Sequence, residues 1–143
     1  MPDSINLALV VAAGLSAAAA LLHVAIIVGG PAWYRFFGAG EKFATAAAAG
    51  RAYPAVVTAG IASVLGLWAG YALSGAGVLP RWPLLAAALC AITGIYLLRG
   101  FAVLPLLLFA RSKTTPFLVW SSLVCIGFGL VHLLGVLQVW PQL

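Results

Sequence analysis

A chain of 143 residues that is 65% hydrophobic and only 6% charged cannot cover its surface with solvated groups, because a soluble domain needs about a quarter of its residues charged. Seven basic residues against two acidic ones give a formal net charge of +5. The basic residues stand singly at the flanks of apolar runs, which argues against a nucleic-acid-binding face. Lipid is therefore the expected solvent, and the length suits one membrane domain over residues 1–143.

Four apolar runs each approach the roughly 20 residues that a helix needs to cross a bilayer core. The first, residues 5–28, carries no charge and is stopped by Gly29-Gly30-Pro31. It is too long for the apolar core of a signal peptide, and Asp3 stands where such a peptide wants Lys or Arg, so a retained span is expected. Trp33, Tyr34, Phe36 and Phe37 come next as an aromatic interface belt, and Trp82 and Trp140 mark other span ends. The connection from Gly29 to Ala52 is the longest. Its alanine-rich end predicts a short interfacial or partly re-entrant helix over residues 41–49, with the Glu41 carboxylate at the end favoured by the helix dipole. Gly38-Ala39-Gly40 lacks the spacing and the Lys-Ser/Thr of a phosphate loop.

The second run, residues 53–73, ends in Ser74-Gly75-Ala76-Gly77. Ala62, Gly66 and Gly70 recur every four residues along it, and Gly14 and Ala18 repeat that spacing in the first. Such faces let backbones approach closely, so they predict packing within the bundle or a homo-oligomer through the Gly66 and Gly70 face. The third run, residues 83–110, is long enough to tilt, and Pro105 is expected to kink it. The fourth covers residues 117–139. None of the four alternates apolar and polar residues as barrel strands do.

Arg35, Lys42, Arg51, Arg111 and Lys113 fall in connections on one side of this layout, and Arg81 alone falls on the other. The positive-inside rule makes the richer side cytoplasmic and both termini extracytoplasmic. The expected fold is an all-α integral membrane protein, an up-down bundle of four transmembrane helices. The Ala, Gly and Leu bias suggests a bacterial inner (plasma) membrane.

Arg99 is the most informative residue. It lies inside the third run, where a charge costs roughly 2.5–3.5 kcal/mol on insertion scales and must find a carboxylate, carbonyls, water or the interface. Only Asp3 and Glu41 are acidic. Glu41 belongs to the connection on the side towards which Arg99 would reach, so it is the expected partner, though it could equally be a solvated helix-start residue. His23 lies roughly 9 Å from the same end of the first span. Tyr96 shares the helix face of Arg99, three residues earlier, and Thr93 extends the stripe. Arg99, Glu41, His23 and Tyr96 thus form the candidate binding site, against a plain reading of His23 as a hydrogen-bonded packing residue.

His132 lies on a stripe with Ser121, Cys125 and Gly135 in the fourth run. Two intramembrane histidines raise the idea of a haem, but the layout separates His23 and His132 by roughly 15 Å in depth, so no cofactor is expected. No metal-ligand spacing exists, and Cys90 and Cys125 are too far apart in depth for a disulfide. No nucleophile motif is present. The expected function is a non-catalytic membrane protein that binds or passes a small molecule, lipid or ion at a cytoplasmic-side polar pocket. The alternatives are an accessory subunit packing through small-residue faces, or a small membrane-embedded enzyme using the same polar residues.

Overall fold

A computed structural model describes residues 4–143, so Asp3 lies outside the described residues. All secondary structure among them is helical: α1 (Leu7–Gly29), α2 (Pro31–Phe36), α3 (Glu41–Ala48), α4 (Tyr53–Gly75), α5 (Leu85–Phe101), α6 (Val103–Phe109) and α7 (Pro116–Val139), with 3₁₀ turns at Arg111–Lys113 and Trp140–Gln142. Four stretches are long and apolar enough to cross a membrane: α1, α4, Leu85–Phe109 and Pro116–Gln142. The chain divides into two compact units, Ser16–Leu67 and Met1–Leu15 with Trp68–Leu143.

In the unit Ser16–Leu67, α1 ends where Gly30 adopts φ 68°, a left-handed value open to glycine at little cost. Pro31 then opens α2 at its first turn, where a missing N–H costs nothing. Expected only to stop the first span, Pro31 also starts a helix. Tyr34 on α2 is 2% exposed and packs with Ile26 and Ala44, flanked by Phe37 and Phe43. Its hydroxyl lies 3.2 Å from Thr58 Oγ1, and Thr58 spends its own proton on the Pro54 carbonyl at 2.7 Å. The phenol is therefore the donor. One buried tyrosine thus fixes α2 against the start of α4.

In the other unit, Asn6 caps α1, its Oδ1 accepting from Leu9 N at 2.9 Å while its Nδ2 donates to Gln138 Oε1 at 2.8 Å. Leu9 and Leu89 are fully buried and pack with Leu85, Ala76, Val136 and Val139. Glycines set the helix spacing. A Cβ at Gly135 would meet Leu9 Cγ at 2.6 Å, and one at Gly129 would meet Leu97 Cδ2 at 2.6 Å. Trp82 lies over Gly70, so one end of the Gly66–Gly70 pair is filled by the protein's own indole. Ser74 Oγ, donating to the Pro80 carbonyl at 2.8 Å and accepting from Trp82 N at 2.9 Å, pins that connection.

Two boundaries in the third span have simple causes. Leu84 takes φ 55°, so the helix begins at Leu85 rather than at Pro83. Pro105 has no N–H for the carbonyl of Phe101 and its ring crowds that carbonyl, and α5 ends at Phe101. α6 resumes at Val103. The fourth span starts at Thr115, whose Oγ1 accepts from Leu118 N at 3.1 Å, with Pro116 in the first turn.

Candidate functional site

Most polar side chains within the spans satisfy themselves on their own helix. Thr58, Ser63 and Thr93 each donate to the carbonyl four residues earlier, at 2.7, 2.8 and 2.8 Å. His23 Nδ1 lies 2.7 Å from the Ala19 carbonyl and His132 Nδ1 2.8 Å from that of Phe128. In each histidine this assigns the proton to Nδ1, because a carbonyl only accepts.

Arg99 behaves otherwise. Its Nη1 donates to Ser122 Oγ at 3.2 Å and its Nη2 to Ser121 Oγ at 3.3 Å, both on α7. Ser121 in turn donates to the Leu118 carbonyl at 3.1 Å. The reach across the α5–α7 seam depends on Gly100, where a Cβ would meet Ile126 Cγ1 at 2.5 Å and the Ser122 carbonyl at 3.0 Å. Ser122 is fully buried, whereas Arg99 is exposed. Leu98, Trp120 and Leu123, chain neighbours of Arg99, Ser121 and Ser122, are exposed at 73%, 69% and 54%. A cation therefore sits on an apolar surface with two neutral hydroxyls as hydrogen-bond partners. Hydroxyls solvate a guanidinium but do not cancel its charge.

Tyr96 is buried, and its ring meets Trp68 at 5.0 Å, Phe128 at 5.5 Å and His132 at 5.1 Å. His132 is fully buried, and its Nε2 has no hydrogen-bond partner among the described residues. His23 is half-buried on α1. Glu41, expected beside Arg99, is held by Arg35: Nη2 lies 2.8 Å from Oε1 and Nε 3.1 Å from Oε2. Thr45 Oγ1 adds a longer bond to Oε1 at 3.3 Å. These bonds hold the Glu41 carboxyl below the usual carboxylate range and raise the Arg35 guanidinium further. Glu41 also borders an open depression of about 430 Å³ with Lys42, Thr45, Arg51 and Tyr53.

From sequence, Ser121 is only a neighbour on the His132 stripe, and Ser122 is not singled out at all. The one signal for them is a pair of hydroxyls just inside a span, with an unpaired charge on another span. Among the described residues no three of His, Cys, Asp and Glu come together to hold a metal. No protein-family model, curated protein or solved structure matches the chain.

Proposed function

We propose that this chain is a small multi-pass membrane protein, an up-down four-helix bundle in a bacterial plasma membrane, that holds an anionic group at Arg99. The observation that carries the reading is a guanidinium inside a membrane-spanning helix whose hydrogen-bond partners are the neutral hydroxyls of Ser121 and Ser122. Intramembrane ionisable groups are costly and mark sites or pathways. Support for the up-down arrangement comes from contact register. Leu97 lies on Gly129 while Gly100 lies on Ile126, and Asn6 bonds Gln138 while Leu9 lies on Gly135. In both pairs residue numbers run oppositely, as antiparallel neighbours require. The distribution of Arg35, Lys42, Arg51, Arg111 and Lys113 supports cytoplasmic first and third connections and extracytoplasmic termini.

The test is a thermal unfolding series in a neutral maltoside detergent with dodecyl phosphate added as an anionic amphiphile. Wild-type protein should gain about 9 °C at a hundredfold excess over Kd. Arg99→Gln should gain nothing, and Arg99→Lys should keep part of the gain. Equal shifts in wild type and Arg99→Gln would remove the basis of this reading.

A second reading, an accessory subunit that assembles through the α4 small-residue face, is favoured by Gly66. It is exposed, and a Cβ there would meet nothing within 4 Å. Gly66→Leu should abolish any cross-linked dimer in membranes while leaving the Arg99 response intact.

A further inference from the structure

We infer, resting on the reading of Arg99 as an anion site, that the anion is the headgroup phosphate of an acidic phospholipid seated on the α5–α7 seam. The surface around the guanidinium decides what can reach it. Leu98 and Phe101 on α5, and Trp120 and Leu123 on α7, are exposed on the two helices that Arg99 joins. In a bilayer such a surface is covered by acyl chains, so a hydrated inorganic ion would have to shed its water and cross them. A lipid arrives with its chains already matched to those side chains and its phosphate tethered at the interface.

Depth fits the same ligand. Ser121 is five residues from Pro116 at the start of α7, roughly 8 Å along the axis at helical rise. With Gly100 against Ile126, the Arg99 side chain runs back along α7 to Ser121 and so carries its guanidinium towards the headgroup side of the span. Geometry fits as well. A guanidinium carries five N–H donors in a planar fork, and two of them are spent on the serines. The remaining three can meet a phosphate in the paired geometry that arginine favours. Finally, Arg111 and Lys113 occupy the 3₁₀ turn just before α7. Basic residues at a span end attract lipids of net negative charge over zwitterionic ones.

The experiment uses the full chain in phosphatidylcholine vesicles with brominated phosphatidylglycerol or brominated phosphatidylcholine as quenchers of tryptophan fluorescence. Wild-type protein should favour phosphatidylglycerol by about fivefold, the size of one basic-residue contribution. Arg99→Gln should lower the ratio several-fold, to what Arg111 and Lys113 sustain without it, and Arg99→Lys should retain most of it. A ratio unchanged by Arg99→Gln overturns the proposal. A photoactivatable phosphatidylglycerol headgroup probe on wild-type protein provides a route that needs no variant. Adducts should map to residues 95–102 and 118–125, and adducts confined elsewhere count against the seam. Inorganic phosphate and dodecyl phosphate in detergent separate the anion site from its lipid occupant. Arg99-dependent stabilisation by either, without a lipid preference in vesicles, rejects the lipid while keeping the anion site. The absence of both rejects the anion site itself.

Discussion

Single residues carry two predictions that do not depend on the ligand. The Arg35–Glu41 pair is exposed on both sides, so salt and water screen it and its contribution is small. Its sign with pH is nonetheless definite. The Glu41 carboxyl in the folded chain lies below its unfolded value, so the contribution is complete above the ordinary carboxylate range and is lost as pH falls through the folded value. The Arg35 Nε–H resonance should be protected from exchange at neutral pH and lose that protection on acidification, and Glu41→Gln should remove the dependence. His132 is a different case. Its Nε2 is a buried acceptor without a partner among the described residues. Replacing an unsatisfied polar group by an apolar one of the same shape is near neutral or stabilising, whereas truncation opens a cavity. His132→Phe, which keeps a ring against Tyr96, should therefore unfold no earlier than wild type in a denaturing-detergent titration. His132→Ala should lose about 3 kcal/mol. Equal losses in the two would mean that Nε2 has an essential partner.

At the level of elements, glycine positions divide into those that space helices and those that face open surroundings. Gly100 lies against Ile126 and the Ser122 carbonyl, so Gly100→Ala should cost about 1–3 kcal/mol by overpacking and should also pull Arg99 away from its serines. Gly66→Ala meets nothing and should leave monomer stability unchanged or slightly raised, since alanine is the better helix former. Pro105→Ala restores an N–H to the Phe101 carbonyl. Amide exchange near Ala102 should slow as α5 and α6 join into one helix. Legibility in the sequence depends on whether a feature is local to one helix or set between two. Four spans are legible because length and apolarity suffice to define a span. The break before Pro105 is legible because proline acts locally. α2 is not, because Pro31 serves equally as a terminator and as a first-turn residue. Arg99 stands out by its depth alone, but Ser121 and Ser122 lie 22 and 23 residues away. Their meeting depends on the register that Gly100 and Gly129 impose on two helices, which no periodicity within one helix records. Charge and sidedness point Glu41 towards Arg99. Arg35, six residues before Glu41, bonds it across the turn in which Gly38 and Gly40 take φ 70° and 92°.

The whole molecule presents Leu21, Val28, Leu84, Leu108 and Phe109 at 70% exposure or more, alongside many other exposed apolar side chains. A surface of this kind in water is an aggregation liability. Purified protein should therefore be monodisperse in detergent and lose solubility on its removal, as size-exclusion chromatography would record. The hydrogen bonding within the spans has a consequence for biogenesis. Thr58, Ser63, Thr93, His23 and His132 each bring a partner within their own helix. α1, α4 and α7 can therefore leave the translocon singly, with these polar side chains already satisfied. α5 alone cannot, because the groups that receive Arg99 belong to α7, which is synthesised later. The third span therefore waits, with its guanidinium drawn towards the headgroups, until the fourth arrives. Truncating the chain before Pro116 should leave that span poorly inserted, while the first two are unaffected.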